Sequence, residues 1–201
     1  MRIGKSGLGV FWAIVIFGSA VFPGLWYAGE LRAKATDIKM REDILEMVAQ
    51  IAREVNPGMA AELTFTSADK NTLPFDYVRS VLARHKDKPS VRGIYTMAMR
   101  DGKLHFGPET YPEDDPMASP PGTLYEMPDK KDIEIFTKGE AFVNGPRADE
   151  YGTFVYGLAP VFRDQTDEVI MVIGADVLAG NWESKLFFER YKVYQAAAFL
   201  A

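Results

Sequence analysis

The sequence predicts an α+β fold: an antiparallel five-stranded sheet packed by a long amino-terminal helix, with one transmembrane helix ahead of it. Three patterns carry that expectation. Residues 7–29 contain no charged side chain, residues 30–55 place apolar side chains at helical spacing without glycine or proline, and the stretches 93–107 and 141–177 alternate strand-forming runs with turn residues. A chain of 201 residues holds one domain of ordinary size plus a membrane segment, since single cores usually occupy about 100–200 residues.

The uncharged run is long enough to span a bilayer. As a helix its 23 positions rise roughly 34 Å, against a hydrocarbon core of about 30 Å. Arg2 and Lys5 precede it, which favours an amino terminus in the cytoplasm and the remaining chain outside. Trp26 and Tyr27 fall at the far boundary, where amphipathic rings prefer the headgroup layer, and Pro23-Gly24 is expected to bend or end the helix there. The length of the run favours an uncleaved signal anchor over a cleavable signal peptide, for which Ala33-Lys34-Ala35 offers a poor site.

Next, Leu31, Ala35, Ile38, Leu45, Val48, Ala52 and Val55 mark the stripe of an amphipathic helix over 30–55, stopped by Asn56-Pro57-Gly58. Residues 59–65 are ambiguous between helix and strand. Residues 74–85 read as a helix with Phe75, Val78, Val81 and Leu82 on one side. Residues 93–99 and 103–107, joined by Asp101-Gly102, form the clearest hairpin, because Asp-Gly supplies the positive backbone angles of a tight primed turn.

Residues 107–128 hold six prolines in 22 positions together with Glu113-Asp114-Asp115, a composition that predicts a long ordered loop or a lid. Residues 129–138 return to helical spacing, with Ile133 and Phe136 expected inward. Three antiparallel strands follow: a short one ending at Asn144-Gly145-Pro146, then 153–162 and 169–177. The last helix begins near Trp182. Residues 193–201 are almost apolar but too short to span, so the chain is expected to be truncated at the start of a possible second membrane helix. The expected division is thus 1–29 for the cytoplasmic tip and signal anchor, 30–192 for the extracytoplasmic domain, and 193–201 for that start.

The run from Gly145 through Tyr151-Gly152-Thr153-Phe154-Val155-Tyr156-Gly157-Leu158-Ala159-Pro160-Val161, then Val172-Ile173-Gly174-Ala175-Asp176-Val177 with Trp182 after it, resembles the Cache/PAS-like extracytoplasmic sensor domains. Ile94-Tyr95-Thr96-Met97 and Arg100-Asp101-Gly102-Lys103 before Phe106-Gly107-Pro108 fit the same pattern. The resemblance covers about residues 30–190 and lies mainly in the last three strands. It implies a PAS-like sheet set between two membrane helices in a bacterial histidine kinase, diguanylate cyclase or chemoreceptor. Within these 201 residues no second membrane helix is completed and no residue matches a kinase or cyclase motif, so kinase or cyclase activity is not expected to carry over to them.

Composition narrows the chemistry. The absence of cysteine excludes disulfides, thiolate nucleophiles and cysteine-type zinc sites. All 28 acidic residues lie beyond residue 29, whereas Arg2 and Lys5 of the 23 basic ones do not, so the exported part is acidic and a nucleic-acid partner is not expected. No nucleophile elbow, phosphate loop, His-Glu-x-x-His or dinucleotide fingerprint occurs, which argues against an enzyme. The three consecutive acids at 113–115 lack the alternating spacing of a calcium loop and read as a solvated stretch. No metal or cofactor is expected.

The candidate ligand-binding residues follow from the sheet. Tyr95, Phe106, Tyr125 and Tyr156 are placed to line a pocket between sheet and proline loop, or else to pack the core. Arg100 offers a two-pronged contact to a carboxylate or is an exposed turn charge. Tyr151 and Thr153 are rim candidates, with Asp149 as a turn cap. Asp176 sits on an otherwise apolar strand, where a carboxylate is costly unless paired; it is either a receptor group for a ligand amine or hydroxyl, or a cap for the helix that follows. The reading that results is a membrane-anchored sensor of the bacterial inner membrane, single-pass with its main domain outside. It would bind a small molecule, pass a helix displacement inward, and form a homodimer through the helix at 30–55. The alternatives are a membrane-tethered hydrolase or haem protein using His85 or His105, and a truncated receptor partner that binds nothing.

Overall fold

The computed structural model describes the backbone of residues 5–88 and 90–199 and the side chains of residues 22–88 and 90–198. In chain order the elements are α1 (Lys5–Glu54), α2 (Pro57–Ala61), a single 3-10 turn (Ser67–Asp69), α3 (Leu73–Ala83), β1 (Gly93–Arg100), β2 (Lys103–Glu109), α4 (Lys130–Lys138), β3 (Phe142–Asp149), β4 (Gly152–Phe162), β5 (Val169–Leu178) and α5 (Ala179–Phe199). The five strands form one antiparallel sheet in the order β2-β1-β5-β4-β3. Two compact units result: residues 40–182, which contain the sheet, and residues 1–39 together with 183–201.

Alternation along the strands gives the sheet two chemically different faces. On one, Ile94 and Ala98 of β1, Ala159 and Val161 of β4, and Met171, Ile173 and Ala175 of β5 pack against Val48, Ile51 and Val55 of α1 and Val78, Val81 and Leu82 of α3. The other carries Tyr95, Met97, Phe106, Tyr156, Leu158 and Val172, joined by Tyr125 of the proline loop and Ile135 of α4. Helix α1 comes so close to the sheet that a Cβ on Gly157 would lie 2.6 Å from Ile44 Cγ2 and 3.5 Å from Val48 Cγ2. The apolar stripe expected over 30–55 is therefore committed to the sheet from Ile44 to Val55, while Leu31 and Ile38 are exposed.

Local chemistry sets the element ends. The Tyr77 hydroxyl donates to Glu54 O (3.4 Å) and accepts from Asn56 N (3.0 Å), closing α1, and Asn56 Oδ1 accepts from Met59 N to start α2. Asp129 and Asp132 form a capping box on α4, which ends at Gly139 with φ 66°. The Asp101-Gly102 turn has positive φ at both residues, 50° and 75°, as the hairpin demands.

Several expectations are corrected. Pro23 does not end the helix: α1 is continuous over 50 residues, because a proline removes one intrahelical bond and the turns on both sides outlast that loss. Of the segment 59–65, left open between helix and strand, residues 59–61 belong to the short helix α2 and the rest is neither helix nor strand. Ile133 is 43% exposed, and Asp132 with Ile135 faces inward instead, since the Asp132 carboxylate takes hydrogen bonds from the helix start and from the sheet. Strand β3 continues past Gly145-Pro146 to Asp149 through an irregularity between Asn144 and Arg147; as an edge strand it tolerates a proline that a central strand would not. Among the described residues no helix is long and apolar enough to cross a membrane. The side chains of the uncharged run up to Val21, on which the expected span depends, lie outside the described residues.

In the unit formed by 1–39 and 183–201, α1 and α5 run antiparallel. Arg32 Nε donates to Glu189 Oε2 at 3.1 Å, Arg190 Nε lies 2.8 Å from Glu30 Oε1, and a Cβ on Gly29 would be 3.2 Å from Arg190 O.

The close approach at Gly157 yields a test. Gly157→Ala places a methyl against the branched, buried Ile44 and is expected to cost about 1–3 kcal/mol, seen as a lower urea midpoint at unchanged slope.

Candidate functional site

The face of the sheet opposite α1 and α3 carries a small polar cavity. It is lined by Tyr95, Phe106, Glu109, Tyr111, Met117, Ser119, Tyr125, Asp149, Tyr151 and Asp176. Its roof is the proline loop. Thr110 anchors that loop to β1, its N–H donating to Ile94 O (2.8 Å) and its hydroxyl accepting from Ile94 N (2.9 Å). Residues 122–125 return along the free edge of β2, with Gly122 N bonded to Phe106 O, Phe106 N to Thr123 O and Tyr125 N to Leu104 O. The composition that forbids a regular element thus still gives an ordered cover, because its polar backbone pairs with the sheet edge.

Asp176 lies on β5, the central strand. Opposite Tyr95 in the β1–β5 ladder stands Gly174, where a Cβ would fall 2.3 Å from the Tyr95 ring. The missing side chain lets the ring lie flat over the strand, and the Tyr95 hydroxyl donates to Asp176 Oδ1 at 3.1 Å. Gly93 does the same for Tyr111, whose ring would lie 2.1 Å from a Cβ there. Phe106 is the hub of the aromatic lining: Tyr95, Tyr125 and Tyr151 each meet it edge-on at 5.6 Å between centroids.

The polar groups are linked in chains. The Tyr125 hydroxyl donates to Asp149 Oδ2 (3.0 Å) and accepts from Arg147 Nη1 (3.1 Å). Asp149 Oδ1 caps the turn into β4 by accepting from Tyr151 N (2.8 Å) and Gly152 N (3.1 Å). Ser119 N donates to Glu109 Oε1 (2.7 Å), and the Ser119 and Tyr151 hydroxyls share a bond of 2.8 Å. Arg92 closes the roof from outside, its Nη2 reaching both oxygens of Asp115 (2.8 and 2.7 Å) while its guanidinium lies over the Tyr111 ring.

Burial among these rings pushes the Asp176 carboxyl up to about 8; the Tyr95 bond opposes this, and like charge on Asp149 and Asp132 adds to it. Desolvation likewise pushes Glu109 up to about 7, against the pull of Ser119 N–H and Arg79. The hydroxyls of Tyr95, Tyr111 and Tyr125 are raised by burial in the same way. At neutral pH the empty site therefore keeps Asp176 largely protonated.

Of the eight residues singled out from the sequence, Tyr95, Phe106, Tyr125, Tyr151 and Asp176 line this one cavity. The other three do not. Tyr156 is buried beside it, its hydroxyl donating to Asp132 Oδ1 (2.8 Å) and accepting from Asn144 Nδ2 (3.2 Å). Thr153 is exposed opposite Ala148 at the start of β4, and Arg100 is exposed next to the Asp101-Gly102 turn. Five further cavity residues were not among them: Asp149, read only as a turn cap, and Glu109, Tyr111, Met117 and Ser119, of which parity from Phe106 would not place the first two there because the β1–β2 register shifts between Phe106 and Glu109. The two histidines are engaged elsewhere. His85 Nε2 pairs with Glu54 (3.0 Å), helping to hold that carboxyl down to about 2, and His105 Nδ1 faces Gly122 O (3.0 Å). Among the described residues no group of three or more potential ligands could hold a metal ion.

The raised carboxyl gives a signed prediction. Between about pH 4 and pH 8 the unfolded Asp176 carboxyl ionises while the folded one keeps its proton, so folding stability falls as pH rises through that window. Asp176→Asn is expected to flatten this slope and to melt higher than the parent at pH 8 but not at pH 4, measured by thermal melts of the two proteins across the range.

No protein-family model matches the chain, nor does any curated protein. Among solved structures it is similar to the ligand-binding domain of the Pseudomonas aeruginosa PAO1 amino acid chemoreceptor PctC in complex with GABA, at 14% identity over 82% of this chain and 66% of that one, TM-score 0.54. It is also similar to the ligand-binding domain of the Campylobacter jejuni chemoreceptor Tlp3 in complex with L-valine, at 14% identity over 84% of this chain and 65% of that one, TM-score 0.46. In both comparisons the chain spans less than two thirds of the other's length. With its central β5, antiparallel sheet and long first helix, the chain shares the fold of the PctC ligand-binding domain, in keeping with the resemblance to Cache/PAS-like domains seen in the sequence.

Proposed function

We propose that this chain is the ligand-sensing part of a bacterial signal-transduction receptor, anchored in the inner membrane by residues 7–29 and holding the unit 40–182 outside the cell. One observation carries the reading: a cavity of aromatic rings and desolvated carboxyls built on the central strand and roofed by a long loop. Asp176 and Glu109 are desolvated carboxyls gathered with four tyrosines around one cavity, an arrangement in which functional sites concentrate. The membrane anchor is supported by the charge-free run after Arg2 and Lys5, and a single-pass topology with the amino terminus inside follows from the same charges. The exposed Leu31 and Ile38 of α1 support a homodimer through that helix. The domain limits proposed are residues 30–192 for the sensor and 193–201 for the return toward the membrane.

The signal would travel along β5. Asp176 is three positions before Ala179, the first residue of α5, so a ligand that draws on Asp176 acts at the root of that helix. Along α1, α5 is held by the Arg32–Glu189 and Glu30–Arg190 pairs, which set one register that a displaced helix would exchange for another. The ligand must bind one arrangement better than the other, since equal affinity shifts nothing. The cavity favours this reading over a partner that binds nothing, and neither histidine reaches the cavity to serve a hydrolase or haem site.

The test is cellular. The full chain expressed in a Gram-negative host is expected in the membrane pellet, resistant to carbonate washing, with the sheet unit cut by protease added to spheroplasts but not to intact cells. Recovery of the intact chain in the cytosol would remove the receptor reading.

A further inference from the structure

Helix α5 carries a ladder of aromatic rings. Phe187 and Tyr191 stack with 6.3 Å between centroids, Phe188 meets Phe187 edge-on at 5.9 Å, and Tyr194 lies 6.4 Å from Tyr191. Phe187, Phe188 and Tyr191 are each at least half exposed. A contiguous apolar patch of this kind on a protein surface marks a contact. The side that α5 turns to α1 is set by Glu189, which is buried beside Arg32. Phe187 and Tyr191 stand two positions from Glu189 in either direction, which at about 3.6 residues per turn is the opposite side of the helix. Pairing of two chains through the outer side of α1 leaves the ladder uncovered.

Two further observations say what covers it. The first is its level. In the antiparallel pair Gly29 packs against Arg190 O. From that contact Tyr191 and Tyr194 lie within about 6 Å toward the charge-free run, level with the exposed Trp26 and Tyr27 of α1, and one headgroup layer is about 5–8 Å deep. The second is that rings stand on both outer sides of the pair. Tyr27 is two positions from the buried Gly29, and so on the side of α1 turned away from α5. A protein partner covers one side of a helix pair, whereas lipid surrounds it. The charges at these levels are paired, Arg32 and Lys192 with Glu189 and Arg190 with Glu30, which lowers the cost of setting them among headgroups. Helix α5 need not span for this: among the described residues no helix is long and apolar enough to cross a membrane.

We propose that the ladder of Phe187, Phe188, Tyr191 and Tyr194 is a lipid contact: α5 stands beside α1 in the outer headgroup layer of the bilayer, whose surface reaches the level of the Arg32–Glu189 pair. The inference rests on the membrane-anchor reading above and adds to it a second membrane-contacting element and the height of the surface. Rings with an apolar body and, in tyrosine, a polar tip suit that layer. A displaced α5 would carry its rings through the layer, so the bilayer opposes the same movement by which the proposed signal travels.

The chain has no cysteine, so one introduced cysteine carries one label. The full chain is reconstituted in vesicles of phosphatidylethanolamine and phosphatidylglycerol with an environment-sensitive fluorophore on Phe188→Cys, Tyr191→Cys, Ser184→Cys or, within the charge-free run, Ile16→Cys. Labels at 188 and 191 are expected to lose about half their emission when the lipid carries a nitroxide on its headgroup, and to be shielded from aqueous iodide. The label at 184, about one turn further out, is expected to keep its emission in that lipid and to be open to iodide. The label at 16 is expected to be quenched by a nitroxide near the end of the acyl chain. Shielding from iodide at 188 and 191 without lipid quenching would mean that protein, a second copy included, covers the ladder, and iodide access there would mean that it stands in water. Either result overturns the inference, while quenching at 16 leaves the anchor standing. Headgroup quenching at 184 equal to that at 188 would overturn the assigned level. No lipid quenching at any position, 16 included, would overturn both readings.

Discussion

A half-buried carboxyl group on the central strand of the sheet, set among aromatic rings, is the constraint around which the rest of the molecule is arranged. An acid in that position is tolerated only because it stays protonated near neutrality and is bonded to Tyr95. The bond in turn requires the Tyr95 ring to lie across Gly174, so a glycine in the middle of β5 is explained by a hydroxyl one strand away. The energy to maintain such a site comes from the other face, where α1, α2 and α3 bury a continuous apolar core against β1, β4 and β5. Folding and binding are thereby assigned to opposite sides of one sheet, and the cost of the polar face is borne by packing on the apolar one.

The division of labour shows in which parts of the molecule were legible from the sequence. The long helix, the hairpin and the last two strands have strong periodic signals, and Asp101-Gly102 marks its turn by chemistry that few other pairs share. Tyr95, Phe106 and Asp176 could be placed because they sit on such strands, where parity alone decides the face. Met117 and Ser119 could not, since they belong to a loop whose path is set by hydrogen bonds to the edge of β2, and no period reports such a path. Ile133 and Asp132 mislead for a different reason. Hydrophobicity predicts which one should be inside, but the capping box and the Tyr156 hydroxyl make the acid the better-satisfied residue there, and the β-branched side chain is turned out.

The end of β3 teaches a related lesson. Asn144-Gly145-Pro146 has the composition of a turn, and at a central position it would be one. At the edge of a sheet the missing N–H of proline costs no ladder bond, and Arg41 Nη2 donates to Gly145 O at 2.9 Å, so the strand passes through and delivers Arg147 and Asp149 to the polar face. Whether a breaker breaks depends on its place in the sheet, which only the pairing order reveals.

The roof is held differently from the floor, and that difference is what a sensor needs. The helices on the far face are fixed by apolar burial, whereas the middle of the proline loop, between ends tied to β1 and β2, is fastened by the partly exposed Arg92–Asp115 pair and by Ser119, bonded to Glu109 and Tyr151. An exposed ion pair contributes about 0–1 kcal/mol and a neutral hydrogen bond about 0.5–1.5 kcal/mol, so the fastening amounts to a few kcal/mol. A ligand present at a hundredfold its dissociation constant supplies about 2.7 kcal/mol. The two are of the same order, so on the proposed reading occupancy of the cavity can reposition the middle of the loop. The same energy is small beside the burial of some twenty apolar side chains against the helices, and the core stays as it is. The change is therefore confined to the polar face and to the strand that leads from it, β5, which continues without a break into α5.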